Sequence, residues 1–282
     1  MTISIRILTD ADFEKVNTIL GSAFQRAESW LPELRLFCRL QPDGIFLACN
    51  NGVPAGMVAT ILYPEYAYVG LMGIHQDFQR RGLGVALMEH VLSWVKDRNI
   101  PLVKLDASSA GQPLYEKLGF VPLDEVCVYQ RQIGNLYARR PKGIQLLTPQ
   151  NLDLVTASDI QAFGADRNRL LRTLLETYPE RAFLSQDESG HVNGYLFCQE
   201  KRIGPWIMNE NSEAEKLLAA AMNLPYPGAI SVIVPAKNHD GASLLQCNGF
   251  QIVRANRHMA YGSAPIMGHR GKVFGQTSLS LG

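Results

Sequence analysis

Residues 78–90, FQRRGLGVALMEH, set two arginines and two glycines directly ahead of an amphipathic repeat. Leu83, Leu87, Val91 and Trp94 recur at helical spacing, which predicts a helix over 83–97. An ordinary helix start carries Ser, Thr, Asp or Asn as its cap; this one is bare. A strand-like run, YAYVGLMGI at 66–74, leads almost directly into it. The first four amides of a helix have no internal partners, and with the helix dipole they attract phosphate. Gly82 and Gly84 lack a Cβ, so an anion can come close to the backbone, and Arg80 and Arg81 add positive charge. The residues alone leave two readings open: a phosphate cradle, or a solvated turn with glycines for its geometry.

Working outward, 45–49 and 53–63 read as strands joined at Asn51-Gly52, a hairpin signal. LVKLD at 102–106 is a further strand, 111–118 a short helix and 120–131 a returning strand. The same plan recurs downstream. IRILTDADFEKV from Ile5 matches IQLLTPQNLDLV from Ile144, with Thr9 and Thr148 as expected helix N-caps. FLACNNGVPAGMVA from Phe46 matches FLSQDESGHVNGYLF from Phe183, and GQPLYEKLGF at 111–120 matches GASLLQCNGF at 241–250. Residues 1–132 and 143–261 therefore read as an internal duplication, each half an α/β unit of the α+β kind on one twisted, mixed sheet. Domains are expected at 1–134 and 143–282, with the boundary near NLYARRPKG at 135–143. The Gly/Ser-rich stretch from Gly262 either packs as a final short segment or stays mobile.

With 46% hydrophobic and 19% charged residues in 282, the chain has core material for one large or two ordinary soluble domains. A net charge of +1 gives no nucleic-acid signal, so anion binding has to be local. No apolar run approaches the roughly 20 residues of a membrane span, and the start lacks the pattern of a secretory signal. Five scattered cysteines read as reduced core thiols of a cytoplasmic protein, and without CxxC or HxxxH spacing no metal site is expected.

Gln79-x-x-Gly82-x-Gly84 opening a helix after a strand resembles the acyl-CoA pyrophosphate loop of the GNAT superfamily of N-acetyltransferases. LYEKLGF at 114–120 resembles that superfamily's later helix–strand junction, and the likeness covers residues 1–132. The resemblance implies acetyl-CoA as cosubstrate, with Gln79, Arg80, Arg81, Gly82, Leu83 and Gly84 at its pyrophosphate. It implies that strands 66–74 and 102–106 splay around the pantetheine arm. Backbone amides of Leu71, Met72, Gly73 and Ile74 would hold that arm and polarise the thioester carbonyl. Gly70 and Gly73 suit a bulge or a close backbone approach. Tyr115 matches the tyrosine beside the sulfur, an acid for the thiolate, or else a core tyrosine. Asp106 is the candidate base, or else a cap for ASSAG; Glu65 is a second candidate base. Between Asp106 and Tyr115 the Asn that many relatives use against the cofactor is missing.

The second half departs from the pattern. After RIGPWIM it reads NENSEAEKLL, where Glu210, Glu213 and Glu215 oppose a pyrophosphate, and Leu245 stands at the position matching Tyr115. It is expected to bind no acyl-CoA, and it resembles tandem GNAT proteins whose second half carries GADR, here Gly164–Arg167. Asp166 and Arg167 are candidate anchors for a substrate's charged groups, or else a helix cap and a surface ion pair. Trp30 and Trp206 either line a pocket or pack in the core. The expected activity is acetyl transfer to the primary amine of a small molecule, with no metal, nucleic acid or membrane partner. The alternatives are a protein N-terminal or lysine acetyltransferase, and a non-catalytic acyl-CoA sensor.

Overall fold

The structure is a computed structural model that describes residues 2–132 and 141–282. The boundary expected near 135–143 lies mostly outside the described residues. The first half runs β1 (Ile3–Ile7), α1 (Phe13–Phe24), α2 (Leu31–Leu40), β2 (Ile45–Asn50), β3 (Val53–Leu62) and β4 (Ala67–Ile74). It continues with α3 (Leu83–Lys96), β5 (Leu102–Ala107), α4 (Gln112–Lys117) and β6 (Val121–Arg131). The second half repeats that order as β7 (Ile144–Leu146), α5 (Asp153–Phe163), α6 (Asn168–Thr177), β8 (Ala182–Gln186), β9 (Val192–Cys198) and β10 (Arg202–Met208). Then follow α7 (Ala214–Met222), β11 (Ile230–Pro235), α8 (His239–Cys247) and β12 (Gln251–Gly262), and one strand without a counterpart, β13 (Val273–Gly275).

Local chemistry explains the matched elements. Asn51 and Gly52 both take positive φ, 49° and 82°, as the tight hairpin between β2 and β3 requires. The α3 repeat buries Leu83, Leu87, Met88, Val91 and Val95, each burial contributing roughly 1.5–3 kcal/mol. Thr9 and Asp12 bond to each other as expected, the Thr9 amide reaching Asp12 Oδ2 at 3.0 Å. They close a 3₁₀ turn, with α1 starting after it. Thr148 likewise sits before a turn, its amide donating to Asn151 Oδ1 at 2.7 Å, and α5 starts only at Asp153.

The chain forms two compact units. Unit 1 holds Met1–Pro122, Met259–Ala264 and Leu281; unit 2 holds Leu123–His258, Pro265–Ser280 and Gly282. This differs from a simple division at 134/143. β6 pairs antiparallel with β11 from Ile230↔Arg131 to Pro235↔Val126, so it belongs to the second unit. The end of β12 joins the first, where Met259 packs into the core with Leu105 and Phe120. In unit 1 the order is β1-β2-β3-β4-β5, antiparallel up to the parallel pair β4–β5. In unit 2 it is β6-β11-β10-β9-β8-β7, with β10–β11 parallel and β13 also on β10. Among the described residues no helix is long and apolar enough to cross a membrane. The five cysteines are free; Cys49 and Cys198 are buried, but Cys247 is exposed, contrary to a core role for all five.

Candidate active site

β4 and β5 run in register only from Ala67↔Val103 to Val69↔Leu105. Past Val69 a bulge shifts the pairing of β4 with β3, between Ala59↔Gly70 and Met57↔Gly73. One extra residue bends a strand and raises its twist, and Leu71 carries the left-handed backbone, φ 48°. Gly73 lies against α1, where a Cβ would stand 2.9 Å from Leu20 Cδ2 and 3.2 Å from Ala23 Cβ. The two glycines thus serve a bulge and a close approach.

The loop after β4 is shaped by its backbone. Gln79 Nε2 donates to the Ile74 carbonyl at 3.1 Å, tying the loop to the strand end. Arg80 and Gly82 both hold positive φ, 59° and 80°. Gly82 is the N-cap of α3 and no side chain caps that end. A Cβ at Gly82 would meet nothing within 4 Å. Arg80 and Arg81 are exposed, the Arg81 guanidinium lying 5.5 Å from the Phe78 ring centroid. Leu83 is buried beneath. Bare amides, left-handed residues beside them and two exposed cations fit a diphosphate. Gly84 is bare for a different reason than expected: its Cβ would press on Leu114 Cδ2 of α4 at 3.2 Å and on Met72 Cε at 3.5 Å. It allows α3 to pack, whereas Gly82 leaves the helix end open.

Two polar side chains flank the divergence on opposite faces. Tyr115 is buried with Val103, Leu105 and Ala107 in the core beneath α3, its ring 5.7 Å from that of Phe120. Burial pushes its phenol well above the ordinary tyrosine value, so it stays protonated. Asp106 alternates with Leu105 and Ala107 and so projects from the other face. It is half-buried and accepts a hydrogen bond from Tyr68 Oη at 2.8 Å. Two strand positions back on that face, Lys104 is buried with its Nζ 3.7 Å from the Tyr66 ring centroid. Sequence reading missed Lys104 and Tyr68; the alternation of LVKLDA placed two charged residues on one face, and that was the available signal. Trp30, 9% exposed at the start of α2, packs on Phe24 and Arg26, and its buried Nε1 lacks a hydrogen-bond acceptor.

The GADR residues are placed differently from a substrate anchor. Asp166 is exposed and accepts the Asn168 amide at 2.8 Å, opening α6. Arg167 is 2% exposed and holds Asp159 through Nε, at 3.1 and 3.0 Å, and through Nη2 at 2.7 Å. Tyr195 Oη donates to the same carboxylate. A guanidinium so enclosed has no face left for a substrate, so that role is withdrawn for Arg167. Trp206 is fully buried, against Phe274 at 5.2 Å. Among the described residues no group of His, Cys, Asp and Glu could hold a metal ion.

Comparison with known proteins agrees with this geometry. Residues 8–120 match the acetyltransferase (GNAT) family model, and residues 155–275 match an acetyltransferase (GNAT) domain model. Holothin acyltransferase from Pseudoalteromonas sp. (strain SANK 73390) is 26% identical over 267 residues, 91% of this chain and 88% of its own. The [ribosomal protein bS18]-alanine N-acetyltransferase of Escherichia coli (strain K12) is 32% identical over 78 residues, 27% of this chain and 53% of its own. A solved Pyrococcus horikoshii protein assigned as an acetyltransferase superposes with a TM-score of 0.87 at 27% identity, over 99% of this chain and 96% of that one. The chain belongs to the GNAT N-acetyltransferases, with two such domains in tandem.

Proposed function

We propose that the first unit transfers an acetyl group from acetyl-CoA to the primary amine of a small molecule. The observation that carries this reading is the bare N-terminus of α3 beside diverging strands, with a neutral phenol on one face and a carboxylate on the other. The Leu83, Gly84 and Val85 amides, with Arg80 and Arg81, would hold the diphosphate of the cosubstrate. The backbone of Leu71–Ile74 would bind its amide-rich arm and polarise the thioester carbonyl. Asp106, oriented by Tyr68, accepts the proton of the incoming ammonium, directly or through water. The amine nitrogen bonds to the carbonyl carbon, the carbon–sulfur bond breaks, the thiolate takes the proton of Tyr115, and the second proton, shed by the nitrogen as the amide forms, restores the phenol.

A small acceptor is favoured over a protein by the pattern of likeness. A relative aligned across both halves is named for holothin, while the ribosomal-protein acetyltransferase matches only 78 residues. The test is release of free thiol from acetyl-CoA with a panel of small amines and with peptides bearing free N-termini. Release above hydrolysis with small amines supports the reading. Turnover confined to peptides would move the acceptor to the protein class, and binding without any acceptor-dependent release would leave a sensor.

A further inference from the structure

Unit 2 repeats the diverging strands of unit 1, and there the gap is filled. β10 and β11 pair only at Arg202↔Ser231 and Ile203↔Val232. A register shift in β10 between Ile203 and Trp206 bends the strand away, as in β4. β13 enters the opening, pairing antiparallel with β10 at Ile207↔Val273 and Trp206↔Gly275. On its other side the Gln276 amide donates to the Ile233 carbonyl of β11 at 2.8 Å. Asn238 Nδ2 donates to the Val273 carbonyl at 2.9 Å, and Gln199 Nε2 to the Thr277 carbonyl at 2.7 Å; both donors are buried. Arg167 Nη1 reaches Thr277 Oγ1 at 3.1 Å, so the buried ion pair with Asp159 also clamps this segment. Residues 273–278 are all buried.

The seat is cut to a backbone. A Cβ on Gly204, φ 144°, would fall 2.1 Å from the Gln276 carbonyl oxygen, and one on Gly164 would fall 2.4 Å from that of Met267. Gly275 and Gly268 make the reciprocal approaches, their Cβ atoms 3.2 Å from Ile203 O and 2.9 Å from Ala162 O. Such spacing admits a peptide strand and little else.

We infer that residues 273–278 are the resident occupant of the slot in unit 2 that corresponds to the acyl-CoA slot of unit 1. This rests on the reading that unit 1's slot takes acyl-CoA. An amide-rich cofactor arm and an extended peptide offer the same alternating donors and acceptors to a splayed strand. Unit 2 satisfies its open strand edges with its own chain, and the protein takes one acyl-CoA per chain. The strand is a fixed part of unit 2: removing it would take a partner from each of the buried Arg167, Gln199 and Asn238 donors.

The test is hydrogen exchange on the full chain with and without acetyl-CoA, together with calorimetric stoichiometry. Amides of 273–277 are expected to exchange as slowly as those of β10 and β11, unchanged by the ligand, with one equivalent bound. Fast exchange at 273–277, deprotection on adding ligand, or two equivalents would overturn the inference. Gly204→Ala, which removes room for Gln276, is expected to speed exchange at 273–277 by at least about 100-fold; unchanged protection would count against the fit described. If that variant does not fold, the wild-type exchange still decides. Zero equivalents bound would sink the reading of unit 1, while exchange in 273–277 still judges the strand.

Discussion

Tyr115 and Leu245 occupy one position in two copies of the same turn. After each comes a glycine with positive φ, Gly119 at 91° and Gly249 at 78°. A buried phenylalanine follows, Phe120 or Phe250, whose amide returns to the Tyr115 or Leu245 carbonyl at 3.0 Å. Both side chains are buried, yet only one bears a proton to give. The same contrast holds at the helix after the bulged strand. α3 begins bare at Gly82; α7 begins at Glu213, which pairs with Lys216 at 2.9 Å. The difference teaches that packing and turn chemistry have preserved the fold in both halves, while the features that suit an acyl-CoA stay in one.

The largest expected effect tests that contrast at the loop. Gly82→Glu sets a carboxylate where the diphosphate would lie and forces a left-handed backbone on a side chain. Affinity for acetyl-CoA is expected to fall at least about a thousandfold, about 4 kcal/mol. Circular dichroism should show the fold retained, because Gly82 is exposed with no neighbour near its Cβ. Glu213→Gly in the second unit should leave affinity unaltered; a loss there would erase the distinction between the two helix starts.

Ion pairs sharpen the comparison from the side of stability. Asp159 and Arg167 in unit 2 have side chains 2% and 1% exposed, whereas Arg6, the partner of Asp12 in unit 1, is 48% exposed. Asp159→Ala leaves a guanidinium buried without its counter-ion and is expected to cost about 3–5 kcal/mol in denaturant unfolding. Asp12→Ala, whose partner can turn to water, should cost about 1 kcal/mol. Equal losses at the two sites would mean that Arg167 finds other relief.

How these features stood in the sequence depends on how local their causes are. Strand and helix bounds in the first half followed from periodicity and turn residues, and β4, α3 and α4 lie within one or two residues of expectation. The GNAT resemblance rested on the Gln79–Gly84 loop for the same reason: a backbone requirement leaves glycines behind. Pairing partners are another matter. Nothing in LDEVCVYQR says that β6 will lie on β11, a strand of the other sequence half, because alternation names a face and not a neighbour. Composition leaves the stretch from Gly262 open between a packed segment and a mobile one, because a glycine reads the same whether it gives freedom or close contact; Gly268 and Gly275 are sites of close contact. Asp159 is legible in the sequence. It sits between Val155 and Ala162 on the buried face of α5, and a carboxylate there demands a partner.

Tyr115→Phe separates a catalytic phenol from a packed one. With the ring kept against Phe120, stability should change little, while kcat falls about 100-fold and KM for acetyl-CoA stays within a few-fold. The wild-type kcat should show no descending limb from this group below about pH 10, since burial holds its proton on. Leu245→Ala, its counterpart, should cost roughly 2–5 kcal/mol of stability and leave kcat per folded molecule alone. A Tyr115→Phe enzyme with full kcat would reduce Tyr115 to what Leu245 already is.

The smallest effect is a difference in alkaline tolerance. In unit 2, burial raises Tyr195 and Tyr226 well above the ordinary value and pushes the Cys198 thiol up to about 12; in unit 1, Tyr115 is raised by the same cause. A group whose folded value is raised holds its proton more tightly in the native state. Its contribution to stability is whole below the unfolded value and is lost as pH climbs beyond it. The loss should begin near pH 9, as the unfolded chain's cysteine ionises, and steepen above about pH 10 with its tyrosines. With more such groups among its described residues, unit 2 should lose protection from hydrogen exchange at lower pH than unit 1, in step with the rise of tyrosinate absorbance. If unit 1 opens first, burial of these hydroxyls and of the thiol is not what limits the second half in alkali. The buried Asp159–Arg167 clamp would then be the stronger hold.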